Sequence, residues 1–202
     1  MSQFHAMEVP PDVIGAAANG DAAAREAIYH ACSGSVYTLI RRLVARTAIA
    51  DELFQEVFVE ILRSAGSYSG QGSFGGWVRA IAVNKCLMYL RSPWHRRLFW
   101  MDAQQEDEES PALTLVDSAP QPDVQATASA DLERALGQLS AVTRSVVWLH
   151  DVEGYTHHEI ATLLGRSPSF SKSQLARAHV RLRELLEPQV ESMPCTPIPN
   201  NC

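Results

Sequence analysis

The stretch YTHHEIATLLGRSPSFSKSQLARAHVRLRELL, residues 155–186, predicts a short helix, a tight turn and a long basic helix. Thr156 and Glu159 have the spacing of a capping box, in which each side chain satisfies a backbone N–H at the start of a helix. Gly165 lies where a helix normally ends, and the Ser-Pro pair shortly after it has the pattern of the start of a second helix. Two helices joined by a short glycine-containing turn form a helix-turn-helix, whose second helix enters the DNA major groove.

A projection of this second helix at 100° per residue separates an apolar stripe from a stripe of small residues. The apolar stripe consists of Leu175, Ala178, Leu182, Leu185 and Leu186. The opposite stripe consists of Ser169, Ser173, Ala176 and Val180. Five basic residues and no acidic one occur from Arg166 to Arg183. Small residues let a helix approach a groove floor while flanking cations contact phosphates, although an ordinary amphipathic helix with a solvated basic face has the same pattern.

The formal net charge of −6 comes from the centre of the 202-residue chain. Residues 101–130 contain seven acidic and no basic side chains, whereas residues 1–100 contain ten basic and eight acidic ones. The whole-chain charge therefore does not argue against nucleic-acid binding. Because the central segment is also rich in Pro, Ser and Ala, residues 101–129 are predicted to form a flexible acidic linker.

Helical patterning covers most of the chain before this linker and predicts a first domain over residues 12–100. Residues 12–46 indicate one helix, or two if Ser33-Gly34-Ser35 interrupts it, and Thr47 is the expected cap of the next helix. One side of that next helix is apolar. The other side is largely acidic and consists of Asp51, Glu52, Gln55, Glu56 and Glu60. By itself an acidic face is most simply a solvated one.

A basic and aromatic stretch follows, with six basic residues and no acidic one from Ile61 to Trp100. Ser73 is the expected cap of the helix within it. Its aromatic residues are Tyr68, Phe74, Trp77, Tyr89 and Trp94. Cations that follow a phosphate backbone, together with rings that stack on unpaired bases, are typical of single-stranded nucleic-acid binding. Packing in the core is the alternative for each ring, and for Trp77 in particular.

Helical patterning returns at Asp131, and Ser140 is the expected cap of a helix that precedes the helix-turn-helix. A second domain is therefore predicted over residues 130–188, followed by a disordered tail over 189–202. The cysteines lack metal-ligand spacing and are expected to be reduced thiols. They are Cys32, Cys86, Cys195 and Cys202. Because neither a signal peptide nor a membrane-spanning stretch is present, we expect a cytoplasmic protein without membrane insertion.

Three ordered motifs make the chain resemble the bacterial extracytoplasmic-function sigma factors of the sigma-seventy family. AIADELFQEVFVEIL is similar to the D-x-E-D-L-x-Q-E-x-F helix of that family. YSGQGSFGGWVRAIAVN with a following Leu-Arg is similar to its F-x-x-W-L-x-x-I-A-x-N helix. The segment from LSAVTRSVVWLHDVEG to the end of the helix-turn-helix is similar to its C-terminal module. Three matches in the correct order are far more specific than a helix-turn-helix alone.

The resemblance implies an all-α protein with two small helical domains, like sigma regions 2 and 4, joined by a flexible acidic linker. The implied partners are core RNA polymerase through its clamp helices and flap, promoter DNA as a −35 duplex and a −10 single strand, and an anti-sigma factor. The implied mechanism is recruitment and strand opening without bond chemistry, so no catalytic residue, metal or cofactor is expected. Association with the nucleoid is expected when the chain is bound to polymerase.

The resemblance also assigns three groups of site residues. Polymerase binding is implied for Asp51, Glu52, Gln55 and Glu56. Binding of the −10 element is implied for Tyr68, Ser69, Gln71, Ser73, Phe74, Trp77, Asn84 and Arg91. Binding of the −35 element is implied for Ser169, Phe170, Ser171, Lys172, Ser173, Gln174, Arg177 and Arg181.

Several positions depart from the family pattern. They are Ala80, Met88, Phe170, Ser171 and Gln174. Gln174 replaces a frequent arginine, and an amide is suited to reading adenine. Ser171 replaces a valine and falls on the core-facing stripe in the projection. We expect the promoter preference of this chain to reside in Ser171 and Gln174.

Two other functions remain open at this point. One is a helix-turn-helix regulator whose N-terminal domain senses a ligand or dimerises. The other is a metal-dependent enzyme that uses a cluster of potential ligands. These ligands are His150, Asp151, Glu153, His157, His158 and Glu159. Their spacing matches neither HExxH nor a facial triad, and adjacent histidines point about 100° apart on a helix.

Overall fold

The protein is described by a computed structural model over residues 3–44, 46–92 and 124–186. These residues form helices and turns with no β-strand among them, which confirms the all-α prediction. A 3-10 turn, Gln3–Ala6, comes first, and a π-helical turn, Trp148–Val152, follows the sixth helix. The helices are α1 (Pro11–Ala18), α2 (Ala22–Leu43), α3 (Thr47–Ser64), α4 (Phe74–Arg91), α5 (Val124–Gly137), α6 (Ala141–Val147), α7 (His157–Leu164) and α8 (Pro168–Leu186).

The N-terminal domain is built from α2, α3 and α4, which pack against one another, with α1 against α2. Its fully buried side chains include Ile28, Leu39, Ile61 and Leu87. Burial of one apolar side of each helix is the main source of stability in such a bundle. The same burial turns the acidic side of α3 towards solvent.

The breaks between the first helices differ from those predicted. Ser33-Gly34-Ser35 lies inside a continuous α2, and the interruption comes earlier, at Gly20, whose φ is 95°. Asp21 then caps α2, because its carboxylate accepts a hydrogen bond of 2.7 Å from the Ala24 backbone N–H. In the Asn-Gly-Asp sequence, the glycine adopts a left-handed conformation and the aspartate caps the next helix. This combination interrupts a helix more strongly than Ser-Gly-Ser does.

Two predicted caps are confirmed and a third is wrong. The hydroxyl of Ser73 accepts from Gly76 N–H at 3.0 Å, and that of Ser140 accepts from Thr143 N–H at 3.2 Å. Thr47 instead lies inside α3, which has no side-chain cap. Its hydroxyl accepts a 2.8 Å hydrogen bond from the Arg41 guanidinium, so it ties α3 to the end of α2.

In the C-terminal domain α5, α6 and α7 all pack against α8. Leu149, Ile160 and Leu164 are fully buried in its centre. The helix α5 begins at Val124, before the predicted start at Asp131. The alanine-rich sequence ahead of Asp131 has good helix propensity, which explains the earlier start. Residues 101–123 of the predicted linker, the predicted tail and Trp94 lie outside the described residues.

The two domains touch each other, α2 against α6 and α4 against α7. Their buried side chains form one continuous hydrophobic cluster. Within the described ranges, no helix has the length and apolar character needed to cross a membrane.

A short N-terminal segment packs against α4 and was not predicted from the sequence. Phe4 and Met7 are buried, and the Met7 sulfur lies 3.3 Å from the Cys32 sulfur. The close approach depends on Gly75, because a Cβ atom there would lie 2.1 Å from the Phe4 carbonyl oxygen. The first domain therefore includes residues ahead of Pro11.

Substitution of two glycines by alanine should have opposite effects on stability, because only Gly75 lies against the N-terminal segment. Gly75→Ala should lower the free energy of unfolding by about 1–3 kcal/mol, because the added methyl group displaces Phe4. Gly34→Ala is the matched control, since its Cβ would meet nothing within 4 Å in the interior of α2. It should raise the free energy of unfolding by about 0.5–1 kcal/mol. Urea unfolding measures both, and a Gly75→Ala protein as stable as wild type would contradict the packing of the N-terminal segment.

Candidate nucleic-acid interface

The helix-turn-helix is held by the capping interactions that the sequence predicts. The Thr156 backbone N–H donates to the Glu159 carboxylate at 2.7 Å, and Glu159 N–H donates to the Thr156 hydroxyl at 3.3 Å. The backbone hydrogen bond from Thr156 lowers the pKa of Glu159. Gly165 ends α7 with a φ of 65°, and Ser167 caps α8 by accepting from Phe170 N–H at 3.2 Å.

The exposed side of α8 carries cations and small polar residues. Lys172, Arg177 and Arg181 are exposed, and so are Ser169 and Ser173 between them. The predicted small-residue stripe is therefore confirmed as a solvent-facing surface. Cations on both sides of small hydroxyl side chains can contact DNA phosphates while the hydroxyls reach base edges.

Phe170, at the start of this surface, lies partly in the core and partly against an arginine. Its ring is half-buried, and the Arg166 guanidinium lies 5.6 Å from the ring centre. A cation over an aromatic face is electrostatically favourable. Phe170 therefore positions Arg166 beside the helix-turn-helix surface.

Two predicted DNA contacts are instead buried inside the domain. Ser171 is 0% exposed and Gln174 is 2% exposed. The Gln174 amide oxygen accepts a 2.6 Å hydrogen bond from the Thr143 hydroxyl, and the Ser171 hydroxyl lies 3.0 Å from His157 Nδ1. Both residues occupy the same stripe of α8 as the buried Leu175. We predicted from the sequence that these two residues set the promoter preference. Their burial contradicts that prediction, because neither side chain faces the exposed side of α8.

The glycine-rich loop before α4 contains three of the residues that were predicted to bind the −10 element. Ser69, Gln71 and Ser73 are exposed in it. Gly70 and Gly72 have φ values of 73° and 81°, which side-chain-bearing residues adopt rarely. The loop is closed by the Tyr68 hydroxyl, which donates to the Gly72 carbonyl at 2.8 Å.

The aromatic residues beside this loop form one cluster. The ring centres of Tyr68, Phe74 and Trp77 lie 5.3 to 5.7 Å apart in pairs. Phe74 is only 4% exposed and belongs to the core, which differs from its predicted role in DNA binding. Tyr68 and Trp77 are half-buried, so part of each ring remains accessible.

Three predicted residues share one face of α4. Trp77, Asn84 and Arg91 are seven residues apart, which places them on nearly the same side of the helix. Asn84 is exposed and Arg91 is partly exposed. This face presents an aromatic ring, an amide and a cation in a row, a combination suited to unpaired bases and their phosphates.

The acidic face of α3 is presented as predicted. Asp51, Glu52, Gln55 and Glu56 are all exposed. The Tyr37 hydroxyl donates to the Asp51 carboxylate at 2.9 Å, and this hydrogen bond raises the pKa of Tyr37. The Glu56 carboxylate lies 3.7 Å from the Lys85 ammonium group on α4.

An aromatic cluster borders the acidic face and was not predicted as part of the site. The ring centre of Tyr29 lies 4.9 Å from that of Phe58, and the rings of Tyr37 and Phe54 are 5.5 Å apart. The sequence could have predicted part of this cluster, because Phe54 and Phe58 are four residues apart and therefore lie on the same side of the helix. The acidic surface therefore has an adjoining apolar part.

The proposed metal cluster is not supported. No group of three or more potential ligands converges among the described residues. Asp151 accepts from His179 at 2.6 Å and lies 2.8 Å from His150. Burial opposes ionisation of Asp151, but these two hydrogen bonds outweigh it and lower its pKa. The Glu153 carboxylate accepts from the Trp148 ring N–H at 3.2 Å.

Each of the two domains matches the model of a known protein family. The model of Sigma-70 region 2 matches residues 28–96, and the model of Sigma-70 region 4 matches residues 129–182. The first match includes α3, the glycine-rich loop and α4. The second includes α7, the turn and α8 as far as Leu182.

Sigma factors of several bacteria are similar in sequence. RNA polymerase sigma factor CarQ of Myxococcus xanthus is 34% identical over 151 residues, covering 75% of this chain and 82% of that protein. ECF RNA polymerase sigma factor SigM of Mycobacterium tuberculosis is 31% identical and covers 73% of this chain and 69% of its own. For ECF RNA polymerase sigma factor SigE of Mycolicibacterium smegmatis the identity is 33%, over 75% of this chain but 57% of that longer relative.

A solved structure has a similar fold. The sigma factor RpoE of Bartonella quintana, determined in complex with the anti-sigma factor NepR, matches with a TM-score of 0.50 and 22% identity. The match covers 80% of this chain and 95% of that one. With the family models and the relatives, these results lead to one assignment. The chain belongs to the extracytoplasmic-function sigma factors of the sigma-70 family, which act with RNA polymerase in the cytoplasm and direct it to promoters.

Proposed function

We propose that the chain performs this function through three separate surfaces. The acidic face of α3 binds core polymerase, the loop and outer face of α4 hold the opened −10 strand, and α8 binds the −35 duplex. The observation that supports this best is the chemistry of the three exposed surfaces: one is acidic, one aromatic and polar, and one basic. Each matches a different kind of partner surface.

The −35 surface that we propose is narrower than the predicted one. Lys172, Arg177 and Arg181 neutralise phosphates and set the position of the helix. Ser169 and Ser173 are the side chains that can reach base edges between them. Ser171 and Gln174 act from inside the domain, where they hold α8 against α6 and α7.

At the −10 element, opened bases are held by Tyr68, Trp77 and Asn84. Unstacking a base costs a few kcal/mol, and stacking it on an aromatic side chain returns about 1–3 kcal/mol. Strand opening can then be driven by binding alone. The chain makes and breaks no covalent bond in this mechanism, so we propose no enzymatic activity and no cofactor.

The proposed partners follow from these surfaces. The acidic α3 face fits the basic clamp helices of polymerase, and the helix-turn-helix domain contacts its flap. We also propose an anti-sigma factor as a regulator, because RpoE of the solved complex binds one. When bound to polymerase, the chain is associated with the nucleoid.

The proposed domain boundaries keep most of the predicted ones. The polymerase-binding domain covers residues 12–100, extended towards Phe4, and the helix-turn-helix domain covers 130–188, extended by the start of α5. The acidic segment from residue 101 to the start of α5 is the proposed linker, and residues 189–202 are the proposed tail. A helix-turn-helix regulator of another class is not favoured, because the N-terminal domain matches sigma region 2.

Charge reversal on α3 tests the polymerase surface. Asp51→Arg combined with Glu52→Arg should weaken core-polymerase binding by roughly 100-fold or more, because like charges would meet across the interface. The control is Asp12→Arg with Glu26→Arg, which changes the net charge equally at exposed positions outside α3. Fluorescence titration with core polymerase measures the affinity, and circular dichroism checks the fold. Wild-type affinity in the α3 variant would overturn the proposed docking surface.

Removal of single cations on α8 tests the −35 surface. Lys172→Ala and Arg177→Ala should each reduce the slope of log affinity against log salt concentration by about one, because one phosphate contact is lost. Arg134→Ala removes a cation of α5 that pairs with Asp131 and should leave the slope unchanged. Binding of a −35 duplex by the polymerase holoenzyme over a salt series gives the slopes. Equal slopes for all three variants would contradict this assignment.

A further inference from the structure

Both ends of the glycine-rich loop lie against residues that come before α2. The loop, residues 68–73, is preceded by a 3-10 turn, Ala65–Ser67, and followed by α4. The 3-10 turn packs against α1, and α4 packs against the turn Gln3–Ala6. Residues 3–18, here called the N-terminal brace, therefore contact the chain on both sides of the loop. The brace precedes residues 28–96, which match sigma region 2, so that match does not include it.

At α4 the brace approaches the helix backbone closely. Phe4 and Met7 are buried. A Cβ atom on Gly75 would lie 2.1 Å from the Phe4 carbonyl oxygen and 3.1 Å from the Met7 Cβ atom. Gly75 belongs to the first turn of α4, which also carries Phe74 and Trp77. Because a packed interior is hardly compressible, this contact fixes the position of that first turn.

At the other end of the loop the brace again meets a glycine. A Cβ atom on Gly66 would be in contact with the Cβ atom of Ala18, 3.6 Å away at the end of α1. Ala65, beside it, is buried. The end of α1 is in turn tied to α2, because the Arg25 side chain donates a 3.1 Å hydrogen bond to the Ala17 carbonyl. The 3-10 turn thus lies against a helix that is itself attached to the core.

The loop between these ends has little to hold its own shape. Gly70 and Gly72 have positive φ values, and glycine loses more conformational freedom on ordering than any other residue. The hydrogen bond from the Tyr68 hydroxyl to the Gly72 carbonyl is exposed, so water competes for it. The position of the loop therefore depends on its two ends, which both lie against the brace.

The brace lies on the far side of α4 from the proposed −10 face. Gly75 and Trp77 are two residues apart, which separates them by about 200° around the helix. Phe4 and Met7 are buried and cannot reach DNA. Any effect of these two residues on DNA binding is therefore indirect and acts through the positions of the loop and of Trp77.

We propose that the N-terminal brace positions the glycine-rich loop and Trp77 for the opened −10 strand, with Phe4 as the main positioning residue. This inference rests on the proposed −10 surface. A site that is rigid before the strand arrives does not lose ordering entropy on binding, so the brace raises affinity without touching a base. The exposed acidic residues Asp51 and Glu52 lie near the start of α3, about 27 Å along this 18-residue helix from the loop. Loss of the brace should therefore leave polymerase binding intact.

Hydrogen exchange in the free, full-length chain tests the structural part without polymerase or DNA. Phe4→Ala should speed exchange of residues 65–77 about tenfold relative to residues 47–60 of α3, because local opening becomes easier only beside the brace. Leu43→Ala is the control. It removes another buried apolar side chain, at the end of α2 where Arg41 bonds to Thr47, the first residue of α3. It should not favour exchange of residues 65–77 over that of α3.

Binding by the polymerase holoenzyme tests the functional part. The probe is a single-stranded −10 oligonucleotide copied from a promoter that in vitro transcription selects from a genomic library. Phe4→Ala should weaken its binding about tenfold, the order of effect expected for packed residues that act on a neighbouring site. Affinities for core polymerase and for a −35 duplex should stay at the wild-type values. Phe4→Leu keeps an apolar side chain in the site and should restore most of the lost affinity.

The pattern of affinities separates positioning from loss of fold. A destabilised domain would lose core binding together with −10 binding, and Phe4→Ala with that result would overturn the brace. Trp77→Ala is the reference for the −10 surface itself, and wild-type affinity in that variant would overturn the proposed surface. Weakened binding by Trp77→Ala together with wild-type binding by Phe4→Ala would overturn the brace alone. Unchanged exchange of residues 65–77 in Phe4→Ala would do the same.

Discussion

Burial of one stripe of α8 against α6 and α7 is the constraint on which the proposed DNA-binding surface depends. Leu175 and Ala178 fill this stripe together with Gln174, whose amide accepts from Thr143. An unpaired buried amide would cost about 1–3 kcal/mol, so this hydrogen bond also fixes the rotation of the helix. The rotation in turn decides which residues of α8 face outwards. Lys172, Ser173 and Arg177 are exposed because Gln174 is not.

The same constraint acts in the N-terminal domain. The apolar sides of α2, α3 and α4 are buried against one another, and the acidic side of α3 is left exposed as a result. Function in this protein is therefore assigned to the helix sides that the core does not use. Phe74 is an exception, because it belongs to the aromatic cluster beside the proposed −10 surface and is still part of the core.

Most of the local structure was predictable because its signals are short-range. The capping box, the left-handed Gly165 and the Ser73 cap each depend on residues within four positions of one another, and all are present. The burial of Gln174 was not predicted, because its partner Thr143 lies on another helix. A polar residue in a core stripe looks like a surface residue until its partner is known. The ion pair of Arg42 with Glu133 and the contact of Arg79 with the Tyr155 ring were not predicted for the same reason, since they join separate domains.

We propose that this chain and core polymerase together open promoter DNA by binding alone. Permanganate oxidation of unpaired thymines tests it most directly, on promoter fragments selected from a genomic library by in vitro transcription. Thymines in the −10 element should become reactive without ATP when chain and core are both present, and Trp77→Ala should reduce this reactivity while −35 protection persists. Duplex DNA that stays unreactive with the holoenzyme, or opens equally with core polymerase alone, would contradict the account.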